Sequence, residues 1–242
     1  MITNSFRGDI EFIHTKLKNK EKFAFSKYAD GEFRILANQH INLLAKANGE
    51  FKYDPNDISD SLYRQELVHS FQYQHQNYYV GIGCKCCMGD TSFNWMKDNS
   101  GQPPLNLTWA NIFVNGNYKY YQKNIIPLYS NYEVVMVVNH KAKLDSLPFN
   151  VIKDFRVGTN AYKEDYNLFK EINYWVNENN IKNKLFLFCA GPYGNILTWK
   201  LHQNSQNNTY IDVGSTLDPY LELGKTRGYL KGADTLSKMC IW

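Results

Sequence analysis

The chain has 242 residues, with 27 Lys and Arg against 23 Asp and Glu for a net charge of +4, and 43% of its residues are hydrophobic. So mild a balance excludes a nucleic-acid binder driven by electrostatics, which carries a concentrated basic patch, and the apolar content excludes disorder, because a chain this long buries most of its unfolded surface. No run approaches the roughly 20 apolar residues of a membrane span, residues 1–10 lack the apolar stretch of a signal peptide, and five cysteines suit a reducing compartment better than a disulfide framework; a soluble, cytoplasmic protein is the expectation.

Ile10, Ile13 and Leu17 recur at helical spacing, and the basic residues 16–22 close that helix. Residues 23–28 alternate large and small over strand length and run into Ala29-Asp30-Gly31-Glu32, where a glycine between two acids predicts a turn. A helix over 33–44 should follow, with Ile35, Leu36 and Leu43 inward, then one over 57–74 with Asp57 as N-cap and a stripe of Leu62, Leu67, Val68 and Phe71. Residues 78–82 read as a strand ending in Gly81-x-Gly83, and residues 98–105 as a loop. Strands are predicted at 108–114, 134–138 and 155–158, with a helical stretch at 118–129 between the first two. Leu168, Phe169, Ile172, Trp175 and Val176 mark one face of a further helix. The apolar run 185–189 turns at Ala190-Gly191-Pro192 into a helix, and 209–213 is the last strand. Strand alternating with helix predicts one α/β domain over 1–242, Rossmann-like, its mostly parallel sheet covered by helices on both faces.

In such a sheet ligands bind beyond the carboxyl ends of the strands. Asp30 and Glu32 sit there, and two carboxylates flanking a glycine can share a Mg²⁺ or Mn²⁺ whose other ligands are phosphate and water; the same triplet also occurs in ordinary exposed turns. Gly191-Pro192-Tyr193-Gly194-Asn195 stands where a helix N-terminus favours phosphate, without being a Walker loop or a full dinucleotide fingerprint. Asp212 and Asp218 follow the last strand, placed to act as a base, to hold a ribose, or to cap a helix starting near Leu217. Trp109, Tyr118 and Tyr162 lie near strand ends and could stack on a sugar or base. Cys84-Lys85-Cys86-Cys87 lacks the second ligand pair of a zinc site, because Cys189 and Cys240 stand alone in the sequence, so zinc is not expected. No signature surrounds a thiol nucleophile with His69 or His140 as its base.

Taken in order, Phe25-Ser-Lys-Tyr-Ala-Asp-Gly-Glu-Phe33, Asn111-Ile-Phe-Val-Asn115, Asn160-Ala-Tyr162 with Tyr166, Leu187-Phe-Cys-Ala-Gly-Pro192 and Tyr210-Ile-Asp-Val-Gly214 resemble the motifs of the GT-D type glycosyltransferases over about residues 20–222. The resemblance implies a Rossmann-like fold, a nucleotide-sugar donor, usually a UDP-sugar, and Mn²⁺ or Mg²⁺ held at Asp30 and Glu32. It further implies Lys27, Arg34, Asn160, Gly191, Pro192 and Asn195 around the donor, and Asp212 or Asp218 as the base that deprotonates an acceptor hydroxyl on a glycan or glycoprotein. Lys27, Ala29 and Ser215 stand where the family has Arg, Gly and often His. Two rivals use the same residues: a phosphoryl or nucleotidyl transferase with Mg²⁺ at the acids, and a carbohydrate-binding protein without catalysis. Exposed aromatics leave a homodimer open.

Overall fold

In chain order the elements are α1 (Phe6–Lys18), β1 (Ala24–Tyr28), α2 (Asp30–Leu36), the short strands β2 (Ile41–Asn42) and β3 (Lys52–Tyr53), α3 (Ile58–Gln72), β4 (Tyr78–Ile82), α4 (Lys85–Asn99), β5 (Leu107–Trp109), α5 (Tyr118–Tyr120), α6 (Ile126–Tyr129), β6 (Val134–Asn139), β7 (Val151–Val157), α7 (Ala161–Glu164), α8 (Leu168–Glu178), β8 (Leu185–Phe188), α9 (Pro192–Asn204) and β9 (Thr209–Asp212). The structure, a computed structural model, describes residues 2–3, 5–45, 50–225, 227–230 and 238–242.

Among the described residues seven strands form one sheet in the order β5-β4-β1-β9-β8-β6-β7, and every neighbouring pair is parallel. Period-two alternation sends each strand's side chains to two separate cores. Val135, Val137, Phe186 and Phe188 join Leu67, Phe71, Ile172 and Leu197 of the helices on one face. Val134, Met136, Val138, Leu185 and Leu187 join Ile10, Ile13 and Leu17 of α1 and the aromatics of α5 and α6 on the other. Helices on both faces explain why the central strands are apolar throughout. The edges are blunted differently: β5 is only three residues long, and β7 carries Lys153, Asp154 and Arg156.

Several boundaries differ from the sequence expectation. The helix expected at 33–44 is α2, which starts at Asp30 and stops at Leu36. Its start is set by Glu32, whose carboxylate accepts from the Ala29 N–H at 3.0 Å, half of a capping box; its end is set by Asn38, at φ +58° in the left-handed region. Leu62 of α3 is 59% exposed rather than inward. The strand expected at 108–114 ends at Trp109 and turns, α4 fills the region after Cys84, and where a helix could start near Leu217 the chain forms a 3₁₀ turn, Gly214–Leu217. Gly81 is structural: a Cβ there would lie 3.0 Å from Ala110 Cα and from the Trp109 carbonyl oxygen, so its absence permits the close approach beyond β5.

Candidate functional site

All carboxyl ends of a parallel sheet lie along one edge, and here that edge holds a cavity of about 570 Å³. It sits where strand order reverses. From β1 the chain moves to β4 and β5 on one side, and it returns on the other side through β9, which pairs with β1 through Ala24–Tyr210 and Phe25–Ile211. A reversal of this kind opens a crevice between the loops that leave the two strands.

Lys27, Asp30 and Glu32 line the cavity from the β1 side, Gly191 and Pro192 from the start of α9, and Asp218 from the segment after β9. Lys27 is the penultimate residue of β1. Burial works against its ammonium, but the carboxylates of Asp212, Glu32 and Asp30 outweigh that cost and hold its pKa above the ordinary lysine range, so it stays a cation. Its side chain lies along Gly214, where φ is +53° and a Cβ would meet Lys27 Cε at 2.4 Å and Nζ at 2.7 Å.

Asp212 is only 2% exposed. Its Oδ1 accepts from the Gly214 N–H at 3.0 Å. Burial, opposed by Lys27 and reinforced by Glu32, pushes its carboxyl up to about 7. It sits behind the cavity wall rather than on it. Asp30, by contrast, is exposed at the first turn of α2, and Glu32 is buried beside it. The glycine between them admits Phe51: a Cβ on Gly31 would lie 2.7 Å from the Phe51 ring.

The remaining predicted residues are placed elsewhere. Asn195 is fully buried and does not line the cavity; its Nδ2 donates to Ser26 Oγ (2.9 Å) and to the Lys27 carbonyl oxygen (2.7 Å), which fastens the first turn of α9 to β1 at the level of Lys27. Asn160 is buried outside the lining at φ +57°, and its Oδ1 accepts from the Lys52 N–H at 3.2 Å. Arg34 is exposed on α2 away from the cavity lining. Of the three aromatic candidates only Tyr162 reaches the cavity, with its hydroxyl donating to the Lys52 carbonyl oxygen at 2.6 Å. Trp109 is buried against Phe6 and Trp242, and the Tyr118 hydroxyl donates to the Thr216 carbonyl oxygen at 3.3 Å.

Sequence reasoning missed Arg227, Tyr229 and Glu50, which also line the cavity. Arg227 Nη1 pairs with Glu50 Oε1 at 2.6 Å, and the Tyr229 hydroxyl lies 2.8 Å from Ser215 Oγ. None follows a predicted strand or stands in a recognisable spacing, so no local signal marks them. Among the described residues the lining thus carries two cations, Lys27 and Arg227, the latter paired with Glu50, together with the carboxylates of Asp30, Glu32 and Asp218. Cations of this kind suit a diphosphate, and two oxygen-donor carboxylates suit a hard divalent ion that completes its shell with phosphate and water.

No protein-family model matches the sequence, and no curated protein matches it. Solved structures do match in fold. A selenomethionine-substituted domain of unknown function 1792 is 15% identical over 88% of this chain and 80% of that one, with a TM-score of 0.54. A structure of the same domain described as having a distinct glycosyltransferase fold is 16% identical over 88% and 80%, with a TM-score of 0.53. A third, described as a new glycosyltransferase of this domain type from Streptococcus sanguinis, is 13% identical over 90% and 85%, with a TM-score of 0.57. The α/β architecture of this chain is thus similar to that of the glycosyltransferase domain 1792.

Proposed function

We propose that the chain is a metal-dependent glycosyltransferase that moves a sugar from a nucleotide-sugar donor, a UDP-sugar, to a hydroxyl of a glycan or glycoprotein. The observation that carries this reading is the cavity at the strand-order reversal, in which Lys27 is kept cationic beside the carboxylates of Asp30 and Glu32. The likeness to structures described as glycosyltransferases supports the choice among nucleotide-using α/β enzymes.

The side chains divide the work. Lys27 and Arg227 bind and orient the diphosphate by charge, and the Gly191 turn lets backbone approach it closely. Asp30 and Glu32 fit Mn²⁺ or Mg²⁺, which supplies Lewis-acid stabilisation of the leaving diphosphate when bound. Glu32 is fixed for this by the Ala29 N–H, which holds one carboxylate oxygen. Asp218 lines the cavity, which supports it over Asp212 as the carboxylate that takes the acceptor hydroxyl proton; Asp212, behind the wall, positions Lys27.

The test is a thermal-shift screen of the full chain against UDP, UDP-sugars and nucleoside triphosphates, each with and without Mn²⁺, because a ligand of the native state raises the melting temperature by mass action. A Mn²⁺-dependent shift with UDP or a UDP-sugar, together with slow release of UDP from that sugar donor, is the expected result. Shifts with nucleoside triphosphates alone would move the assignment to phosphoryl transfer. No nucleotide shift at all would leave a carbohydrate-binding protein.

A further inference from the structure

The run Cys84-Lys85-Cys86-Cys87 folds as the N-cap and first turn of α4, with the N–H groups of Cys87 and Met88 both donating to the Cys84 carbonyl oxygen at 3.1 and 3.0 Å. That turn sets Cys84 Sγ 3.3 Å from Cys86 Sγ, and Cys86 Sγ 3.9 Å from Cys87 Sγ. A fourth sulfur arrives from the far part of the sequence, so Cys240 is not isolated, contrary to the sequence expectation. The Sγ atoms of Cys84, Cys86, Cys87 and Cys240 all lie within 4.8 Å of one another. Among the described residues no other three or more His, Cys, Asp or Glu side chains gather in this way.

The spacing is that of a metal's coordination shell rather than of disulfides. Tetrahedral zinc with Zn–S bonds of about 2.3 Å sets its sulfurs about 3.8 Å apart, whereas a disulfide needs about 2.05 Å. All four thiols are free. The surroundings also suit thiolates. Asn111 Nδ2 donates to Cys87 Sγ at 3.4 Å, and Asn115 Nδ2 donates to Cys240 Sγ at 3.4 Å, the kind of outer hydrogen bonds that steady metal-bound sulfur. Lys238 Nζ donates to the Cys86 carbonyl oxygen at 3.0 Å and adds positive charge beside the cluster. Cys84 and Cys240 are buried while Cys87 is exposed, which leaves a way in for an ion.

We propose that Cys84, Cys86, Cys87 and Cys240 bind one Zn²⁺ as a closed structural site that fastens segment 238–242 to the start of α4. On binding, the four thiols release their protons to solvent, and the ion takes four sulfur ligands with no open position. Zinc is favoured over metals with stricter demands because its filled d shell imposes no geometry of its own, which tolerates the crowded Cys-x-Cys-Cys bite. The fastened segment is packed on its other side: Trp242 makes edge contacts with Phe93 and Trp109, each at 5.2 Å between ring centroids, and the Gly116 N–H donates to the Lys238 carbonyl oxygen at 2.9 Å. Asn111, whose amide meets Cys87, lines the candidate cavity, so the zinc stiffens that wall from behind. This site stands on its own residues and does not depend on the glycosyltransferase reading.

The test is metal analysis of the 242-residue chain purified with a non-chelating phosphine reductant and no added metal. About one zinc per chain is expected, falling at least tenfold in Cys240→Ser and unchanged in Cys189→Ser. Because Cys240→Ser could also disturb the fold, the unmodified protein carries a second readout: stripped of metal and titrated with Co²⁺, it should show the intense visible absorption of tetrahedral cobalt thiolate at one equivalent. A metal-free protein that takes up no Co²⁺ would overturn the proposal. So would iron in place of zinc, or an intact mass lower by two or four hydrogens after purification without reductant with no metal bound, which would assign disulfides instead.

Discussion

The Lys27 side chain occupies the space that a side chain on residue 214 would fill, with Nζ 2.7 Å from where a Gly214 Cβ would stand. The position of this half-buried cavity ammonium is therefore set by the absence of a methyl group on a different strand's exit loop. Gly214→Ala should push the far end of Lys27 aside, and it also places alanine at φ +53°, which costs about 1–2 kcal/mol. We expect a small drop in melting temperature with a tenfold or larger loss of UDP-sugar affinity. Unchanged affinity by calorimetry would show that Lys27 does not hold the donor.

Asp30→Asn and Glu32→Gln test the metal assignment separately from the fold. Glu32→Gln keeps an oxygen to accept from the Ala29 N–H, so α2 should still start correctly. On the proposed function turnover should fall by roughly 100-fold or more in each, the scale of losing one electrostatic stabiliser of the transition state, and chelation of the unmodified protein should do the same until Mn²⁺ is returned. Full activity in either variant would remove the metal from this position.

Arg227→Ala should weaken donor binding and leave Glu50, its partner at 2.6 Å, without its charge. We expect KM for the sugar donor to rise several-fold more than kcat falls, as for a residue that binds ground and transition state alike. A fall in kcat with KM unchanged would instead put Arg227 in the chemical step.

Two buried groups give opposite pH dependences of stability. Asp212 has its carboxyl raised to about 7, so between about pH 4 and 7 the native state holds more protons than the unfolded chain and Asp212's contribution is lost as pH rises. His202, packed among Tyr73, His75, Tyr78 and Tyr210, is lowered to about 4, first by burial and then by His75; its contribution is present above about 6.5 and lost as pH falls. Each shift amounts to about 3–4 kcal/mol across its window. Relative to the unmodified chain, Asp212→Asn should gain stability as pH rises from 4 to 7, and His202→Gln should lose it. Parallel denaturation curves at pH 5 and 7 for all three proteins would contradict both assignments.

The sheet was legible because its strands announce themselves: 134–138 and 185–188 are apolar on both faces, which only a doubly covered strand requires. Lys27, Asp30 and Glu32 were legible as a cluster because chain continuity holds them together at a strand end. Arg227, Tyr229 and Glu50 were not, because tertiary packing alone brings them to the cavity. Helix limits failed where a single side chain decides them, as Glu32 and Asn38 do for α2. Leu62 failed because apolar spacing shows which residues share a face and not whether a neighbour covers it. Cys240 failed for the reason Arg227 did, since sequence distance conceals a shared site.

The pairing of β1 with β9 brings Ala24 beside Tyr210, so the centre of the sheet is closed by two strands that lie far apart in the sequence. Until β9 arrives, the edge of β1 that it covers has no partner strand. Long-range pairing of this kind is slow and leaves sticky edges exposed meanwhile. The crevice beside Lys27 lies between the loops that leave these two strands, so ligand binding there is a report that the long-range pairing has formed.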